Sequence, residues 1–311
     1  MEIICEKTDF HINGKTAVAV GKFDGIHFGH MELLSHILRQ KKQGRKAAVF
    51  TFYPSATVFF GNKEEKELTT RQEKRDLFAK MGVDVLVEFP LNDTTAGILP
   101  EEFVKEILLE RMNAAYICAG TDVSFGKGGK GDRELLCHMG EQYGFSVEII
   151  KKVFDGEREL SSTYVREEVE KGNMEKAARL LGRAYSFSGT VENGNHLGRT
   201  IGFPTVNIYP EKEKLLPPRG VYISRVHMKE GIFFGVTNVG SKPTVQEQDR
   251  ISIETYVFDF SETVYGQQIC VELLSFRRKE CKFPDVNALQ QQLRKDIEDG
   301  RTYLVGNDLQ I

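Results

Sequence analysis

Along the first half of the chain, short apolar runs alternate with segments whose apolar residues recur every three or four positions. The runs at 16–20, 46–52, 83–89, 114–119 and 145–153 read as buried strands, and the periodic segments at 31–40, 70–81, 101–112 and 133–143 read as helices. Thr70 and Glu73 stand at capping-box spacing, and Pro100 suits the first turn of the third helix. Such β-α alternation predicts a parallel sheet with helices on both faces. Two short helices follow at 163–171 and 174–181, with Asn173 as a cap between them. After Gly182 the pattern changes. Runs at 185–191, 205–208, 221–228, 232–238, 252–258 and 268–276 read as strands parted by Gly, Pro and Asn, the pattern of a small antiparallel barrel or sandwich. A helix at 286–304 closes the chain. The expected domains are therefore 1–183 and 184–311, with no internal repeat and no low-complexity segment.

The length of 311 residues independently suggests two domains, at about 100–200 residues each. A hydrophobic share of 40% is enough for real cores and excludes a disordered chain. The 42 basic and 45 acidic residues leave a net charge of −3, which argues against a non-specific grip on nucleic acid. No recognition-helix motif points to DNA either. No apolar run approaches the ~20 residues of a membrane span, so no membrane partner is expected. The start, Met1-Glu2-Ile3-Ile4-Cys5-Glu6, shows no secretory pattern. Cys5, Cys118, Cys137, Cys270 and Cys281 form no C-x-x-C pair, which supports neither a disulfide framework nor a zinc site and makes a reduced, cytoplasmic protein the expectation.

The segment from Gly21 through Lys22, Phe23, Asp24, Gly25, Ile26, His27, Phe28 and Gly29 to His30 joins an expected strand to an expected helix. Open α/β sheets bind ligands at such strand ends. Glycines there let backbone approach a ligand, and helix-start N–H groups favour phosphate. His27 and His30, three apart, can aim at one anion from one helical turn and stabilise charge on a transferring phosphoryl group. Two surface histidines beside a turn would be the bland reading, and the strand-glycine-helix context weighs against it. Further on, Ser161-Ser162-Thr163-Tyr164-Val165-Arg166 opens a helix. Its hydroxyls alone would read as a cap. Ser162, Thr163 and Arg166 share a turn, however, and an arginine fork beside hydroxyls suits phosphate. The lysine- and glycine-rich stretch 127–131 lacks the Walker A frame and reads as a mobile loop over this site, within reach of phosphate.

Together, G-K-F-D-G-x-H-x-G-H and the later S-S-T-x-V-R resemble the HxGH superfamily of nucleotidyltransferases, and within it the adenylyltransferase module of bacterial FAD synthetases. Thr51-Phe52-Tyr53-Pro54 and the run from Gly120 to Gly126 also match that family, and the resemblance covers about residues 15–182. It implies a Rossmann-like parallel-sheet domain that transfers AMP from ATP to FMN, giving FAD and pyrophosphate. It places Gly21, Phe23, Asp24, Gly25, Gly29, Ser162, Thr163 and Arg166 at the ATP phosphates with the catalytic His27 and His30, and it places Pro54, Asp122 and Phe125 on the flavin side. Three positions depart from the family pattern: Ser55 and Ala56 stand where T-F-x-P-H-P has histidine and its second proline, and Val123 where an aromatic residue is usual.

In the second half, Gly198-Arg199-Thr200-Ile201-Gly202-Phe203-Pro204-Thr205-Val206-Asn207 is the most specific stretch. Thr205 and Asn207 alternate around Val206, so both face one side of a strand. A hydroxyl and an amide oxygen there can hold Mg²⁺ with ATP phosphates, against the bland reading of a polar strand edge. The stretch resembles the G-R-x-x-G-F-P-T-A-N signature of riboflavin kinases. Gly220-Val221-Tyr222, the run from Asn238 to Thr244, Ser252-Ile253-Glu254-Thr255-Tyr256, Tyr265-Gly266 and 278–283 fit the same family in order, over about 184–304. The resemblance implies an antiparallel β-barrel with a C-terminal helix that phosphorylates riboflavin to FMN with ATP. It makes Glu254 the general base, Thr205 and Asn207 the Mg²⁺ ligands, and Gly198, Thr200, Gly202, Pro204 and Asn238 the ATP contacts. Lys242 replaces the family's arginine, Tyr256 its common histidine, and Cys281 falls in a segment usually rich in Pro and Lys.

The leading expectation is one enzyme performing both reactions, with ATP, riboflavin, FMN, FAD and pyrophosphate as partners and homo-oligomerisation left open. Two alternatives stand beside it: a divergent paralogue keeping one activity, the kinase before the transferase, or a flavin-binding regulatory protein without turnover.

Overall fold

The protein is described from a computed structural model, covering residues 1–61, 66–194, 198, 201–241 and 251–309, with Ser241 described by backbone alone. Two compact units divide it, Met1–Ser162 and Thr163–Ile311.

In the first unit the parallel sheet is built from β1 (Glu2–Cys5), β2 (Thr16–Val20), β3 (Lys46–Tyr53), β4 (Val85–Pro90), β5 (Ala114–Gly120) and β6 (Ser146–Ile150), in the order β1-β4-β3-β2-β5-β6. Alternate residues of each strand feed opposite faces. Val18, Phe50, Val87 and Ile117 pack against Val104, Ile107 and Leu108 of α4, the helical run at 100–111, and against Leu136 and Met139 of α5 (Arg133–Tyr143). Ala17, Val49, Leu86 and Tyr116 pack on the other face against Leu33, Leu34 and Ile37 of α1 (Phe28–Arg39) and Phe78 of α3 (Arg71–Met81). Helices therefore cover both faces, as the alternation of patterns predicts. Thr70 caps α3 in a full capping box with Glu73, and Pro100 holds the first helical position.

Three elements go beyond the sequence expectation. β1 is an edge strand of which only Ile4 is buried, so its apolar signal is short. α2 (Ala56–Phe60) is a five-residue helix with no buried residue. The expected strand to 153 stops at Ile150, and a small hairpin of β7 (Phe154–Asp155) and β8 (Arg158–Glu159) follows. α1 starts three residues before the expected 31, because His27 in extended conformation already sets the helix going.

α6 (Ser162–Lys171) and α7 (Met174–Leu181) come next. Asn173 occupies the cap position of α7 but does not cap it; its amide donates instead to Glu168 at 2.7 Å. The second unit then forms one antiparallel sheet of β9 (Tyr185–Thr190), β10 (Val206–Ile208), β11 (Gly220–Met228), β12 (Gly231–Ser241), β13 (Ile251–Val257) and β14 (Gln268–Lys279), ordered β10-β13-β12-β11-β14-β9. The sheet curls until its ends meet: Glu192 N–H donates to the Asn207 carbonyl at 2.9 Å. Its inner face carries Phe187, Tyr222, Val226, Ile253 and Val271, all buried. The outer face, through Val221, Ile223 and Val236, packs on Leu304 of α8 (Val286–Gly306). All five cysteines are free thiols, and burial pushes the Cys118 thiol up to about 12, outside the reactive range.

Candidate active sites

The first site opens at the carboxyl ends of β2, β3, β5 and β6, where a parallel sheet leaves its strand ends free for ligands. A cleft of about 450 Å³ lies there, bringing together Gly21, His27, Gly29, His30, Asp122 and Ser162 from segments far apart in sequence. His27 ends the loop and His30 sits one turn on. Their rings stack with centroids 3.8 Å apart and planes at 23°. Gly29 is needed by this packing, since a side-chain carbon there would stand 3.1 Å from the His27 ring. Phe23 is fully buried and its ring lies 5.2 Å from His30, fixing the imidazole from behind.

The loop's shape is unusual. Phe23 and Ile26 adopt left-handed φ of 53° and 43° beside Gly25 at 78°, which costs each non-glycine residue roughly 1–2 kcal/mol. Asp24 is fully buried. Its carboxylate accepts from the N–H groups of Leu68 at 2.9 Å and Thr69 at 3.3 Å. The Gly25 N–H donates to the Thr69 hydroxyl at 3.2 Å, and the Ser162 hydroxyl donates to the Asp24 carbonyl at 2.9 Å. Phe23, Asp24 and Gly25 thus stand behind the cleft lining, which runs through Gly21, Lys22, His27, Gly29 and His30. Thr163 and Arg166 follow Ser162 on α6.

On the expected flavin side, Asp122 is open and lines the cleft, while Phe125 is 3% exposed and packs on Phe103 in the core. Pro54 is half-buried, and the lining passes through its neighbours Ser55 and Ala56. Ser55, in the place of the family's histidine, caps α2 by accepting from Val58 N–H at 3.4 Å. Val123 packs partly into the core. The stretch 127–131 forms a turn tied down by backbone bonds, with Lys127 N–H on the Ile98 carbonyl at 2.7 Å and Phe125 paired with Gly131 at 2.9 and 3.0 Å, and the cleft lining passes through the neighbouring Ser124 rather than through the turn itself.

Three lysines line the cleft, of which the sequence reading met only Lys22, inside the glycine-histidine motif. Lys22 donates to Thr57 at 2.8 Å. Lys151 and Lys152 follow β6 directly, a position that the rule of ligands at strand ends could have picked out. The Lys152 ammonium lies 2.7 Å from Glu159 and 3.4 Å from Asp122, and the Glu159 carboxylate holds it above its ordinary pKa.

The second site lies on the outer face of the curled sheet. Strand register sets Asn207, Glu254 and Asn238 directly across from one another on β10, β13 and β12, so their side chains share a face. The Thr205 hydroxyl donates to Glu254 at 2.7 Å. Asn207 is 3% exposed, with its amide 3.4 Å from the Thr205 carbonyl, and Asn238 donates to Glu280 at 3.2 Å. Tyr256 packs edge-on to Phe203 at 5.8 Å, and Cys281 accepts from Arg278 at 3.3 Å. A pocket of about 80 Å³ is bounded by Gly198, Pro204, Thr205, Asn207 and Tyr265. Gly198 carbonyl accepts from Phe203 N–H at 2.7 Å, and Gly202 takes a left-handed φ of 85°. Thr200 and Lys242 lie outside the described residues. Among the described residues no cluster of three or more His, Cys, Asp or Glu could hold a metal ion by itself.

Comparison with known proteins bears on both units. The FAD synthetase family matches residues 9–164, and the riboflavin kinase family matches residues 181–304. The chain is 34% identical over 303 residues to the bifunctional riboflavin kinase/FMN adenylyltransferase of Listeria monocytogenes serovar 1/2a, across 95% of each chain. It is 33% identical over 289 residues to the protein of the same description from Escherichia coli K12, across 92% of each. Among solved structures it is similar to a macrolide-efflux protein from Streptococcus pneumoniae, with a TM-score of 0.86 and 29% identity over 97% of this chain and 99% of that one. Among the described residues no helix is long and apolar enough to cross a membrane.

Proposed function

The chain belongs to the bifunctional riboflavin kinase/FMN adenylyltransferase family, and from that premise we propose how its residues divide the two reactions. The enzyme phosphorylates riboflavin to FMN with ATP, then transfers AMP from a second ATP to FMN, giving FAD and pyrophosphate. We assign adenylyl transfer to residues 1–183 and the kinase to 184–311, a division supported by family matches that end at 164 and begin at 181.

In the kinase, Glu254 takes the proton of the riboflavin 5′-hydroxyl as that oxygen attacks the γ-phosphorus and ADP departs. The observation that carries this reading is the Thr205–Glu254 hydrogen bond of 2.7 Å. By donating its proton to the carboxylate, Thr205 leaves its oxygen lone pairs for a cation. With the Asn207 amide oxygen on the same face this makes a hard-oxygen set suited to Mg²⁺, which needs only one or two protein oxygens when phosphates complete its shell. When bound, Mg²⁺ supplies neutralisation of charge on the transferring phosphoryl group. Gly198, Thr200, Gly202, Pro204 and Asn238 are assigned to ATP.

In the transferase, an FMN phosphate oxygen attacks the α-phosphorus in line and the bond to pyrophosphate breaks, with no covalent enzyme intermediate. The stacked His27 and His30, Ser162, Thr163 and Arg166 stabilise the charge on the leaving phosphates. Asp122 marks the flavin side. We place the protein in the cytoplasm, without nucleic-acid partners.

Chromatography of flavins over time, with riboflavin, ATP and Mg²⁺ supplied, tests the assignment. FMN rises first and FAD follows. FMN without FAD would leave a kinase alone, and riboflavin bound without ATP consumption would make the protein a flavin-responsive regulator.

A further inference from the structure

The loop between β2 and α1 has two sides. Its front, Gly21, Lys22, His27, Gly29 and His30, lines the cleft, and its back, 23–26, faces the protein. On that back, three of four residues have left-handed φ, at Phe23, Gly25 and Ile26. Two of them are not glycine, so the loop does not hold this shape by local preference. Something outside the loop must hold it, and the contacts identify what does. The Asp24 carboxylate is gripped by the Leu68 and Thr69 N–H groups at 2.9 and 3.3 Å, while the Thr69 hydroxyl takes the Gly25 N–H at 3.2 Å. Two groups of one residue thus bond to two successive loop residues. Thr69 is itself rigidly based, because the next residue, Thr70, caps α3 in a capping box. Asp24 is fully buried and Thr69 is 4% exposed, so water does not compete for these bonds.

We infer that Thr69 is a positioning residue for adenylyl transfer, and that Phe23, Asp24 and Gly25 serve the loop's shape rather than touching nucleotide. This deepens the reading of the first site and rests on it. The Gly25 N–H is directed at Thr69, so the phosphate donors are the front backbone groups and the two histidines. Their aim depends on the clamp. Loss of the clamp misplaces donors that act on the charge of the leaving group, and a misplacement of about 1 Å can cost ~10²-fold in rate.

Two variants separate positioning from bulk stability. Thr69→Val keeps the shape and removes the hydroxyl, and Thr69→Ser keeps the hydroxyl. Expected for Thr69→Val is a fall of ~10-fold or more in kcat for FMN to FAD, with KM for FMN within about twofold. Thr69→Ser restores kcat, and riboflavin kinase activity of the same molecules is unchanged. Equal loss in both variants, a change confined to KM, or no loss in Thr69→Val overturns the inference. Hydrogen exchange on the wild-type enzyme gives a second measurement: the Gly25 amide is protected before any nucleotide is added, and fast exchange there also overturns it. A wild-type enzyme that makes no FAD would instead remove the adenylyltransferase reading itself.

Discussion

Glu254 and Thr205 share one hydrogen bond of 2.7 Å, which joins the proposed base to the proposed cation seat. Glu254→Gln removes the proton acceptor while keeping the shape. FMN formation from riboflavin should fall by ~10²-fold or more, while FAD formation from supplied FMN stays nearly unchanged, as read by flavin chromatography. The double replacement His27→Ala, His30→Ala should do the reverse, leaving FMN to accumulate. Equal loss of both reactions from either change would defeat the division into two sites. At this scale the sequence pointed to the residues proposed for the chemistry, through their type and spacing. It hid Lys152 and Thr69, which have ordinary neighbours in sequence and acquire a role only through partners at Asp122, Glu159, Asp24 and Gly25.

Between elements, the fully buried strands were legible because 16–20, 46–52 and 114–119 are continuous apolar runs, whereas β1 and α2 bury too little to leave a pattern. Which element packs where follows from contacts that propensity does not encode. β4 and α3 are stapled by Glu88, 3% exposed, with Arg71 at 2.7 Å and Arg75 at 2.5 Å. Burial pushes the Glu88 carboxyl up, but the two arginines outweigh it and hold it below its usual value of 4.5. A depressed folded pKa means the stabilisation is present above that value and is lost as pH falls through the folded one. Urea titrations should therefore show the first unit weakening below pH 4.5 in the wild type, and that part of the acid dependence vanishing in Glu88→Gln. Gly140 in α5 offers a second test. Helix propensity alone favours Gly140→Ala by up to about 1 kcal/mol, yet the added carbon would stand 2.9 Å from Val147 and 3.0 Å from the Phe145 carbonyl. The packing clash should win, and denaturation should show a destabilised variant. A stabilised one would mean that α5 slides freely on β6.

At the scale of the whole chain, there are two units with separate cores, and the two proposed reactions are assigned to different segments, 1–183 and 184–311. Mixing Glu254→Gln enzyme with the His27→Ala, His30→Ala enzyme should restore FAD synthesis from riboflavin, because FMN released by one molecule is a substrate for the other. Failure of the mixture, with each variant active in its remaining reaction, would show that FMN is not exchanged between molecules.

The sequence by itself determined the two fold classes, the position of the change in pattern after Gly182 and the residue types proposed for both sites. Those depend on periodicity and on short motifs, which are local properties of a chain. Tertiary structure alone decided that Asp24 faces inward, that Phe125 belongs to the core, that backbone bonds tie down the turn at 127–131, and that Asn207, Glu254 and Asn238 fall in one row. Each of these turns on register, burial or a hydrogen-bond partner tens of residues distant. Such relations exist only once the strands have paired and the cores have closed.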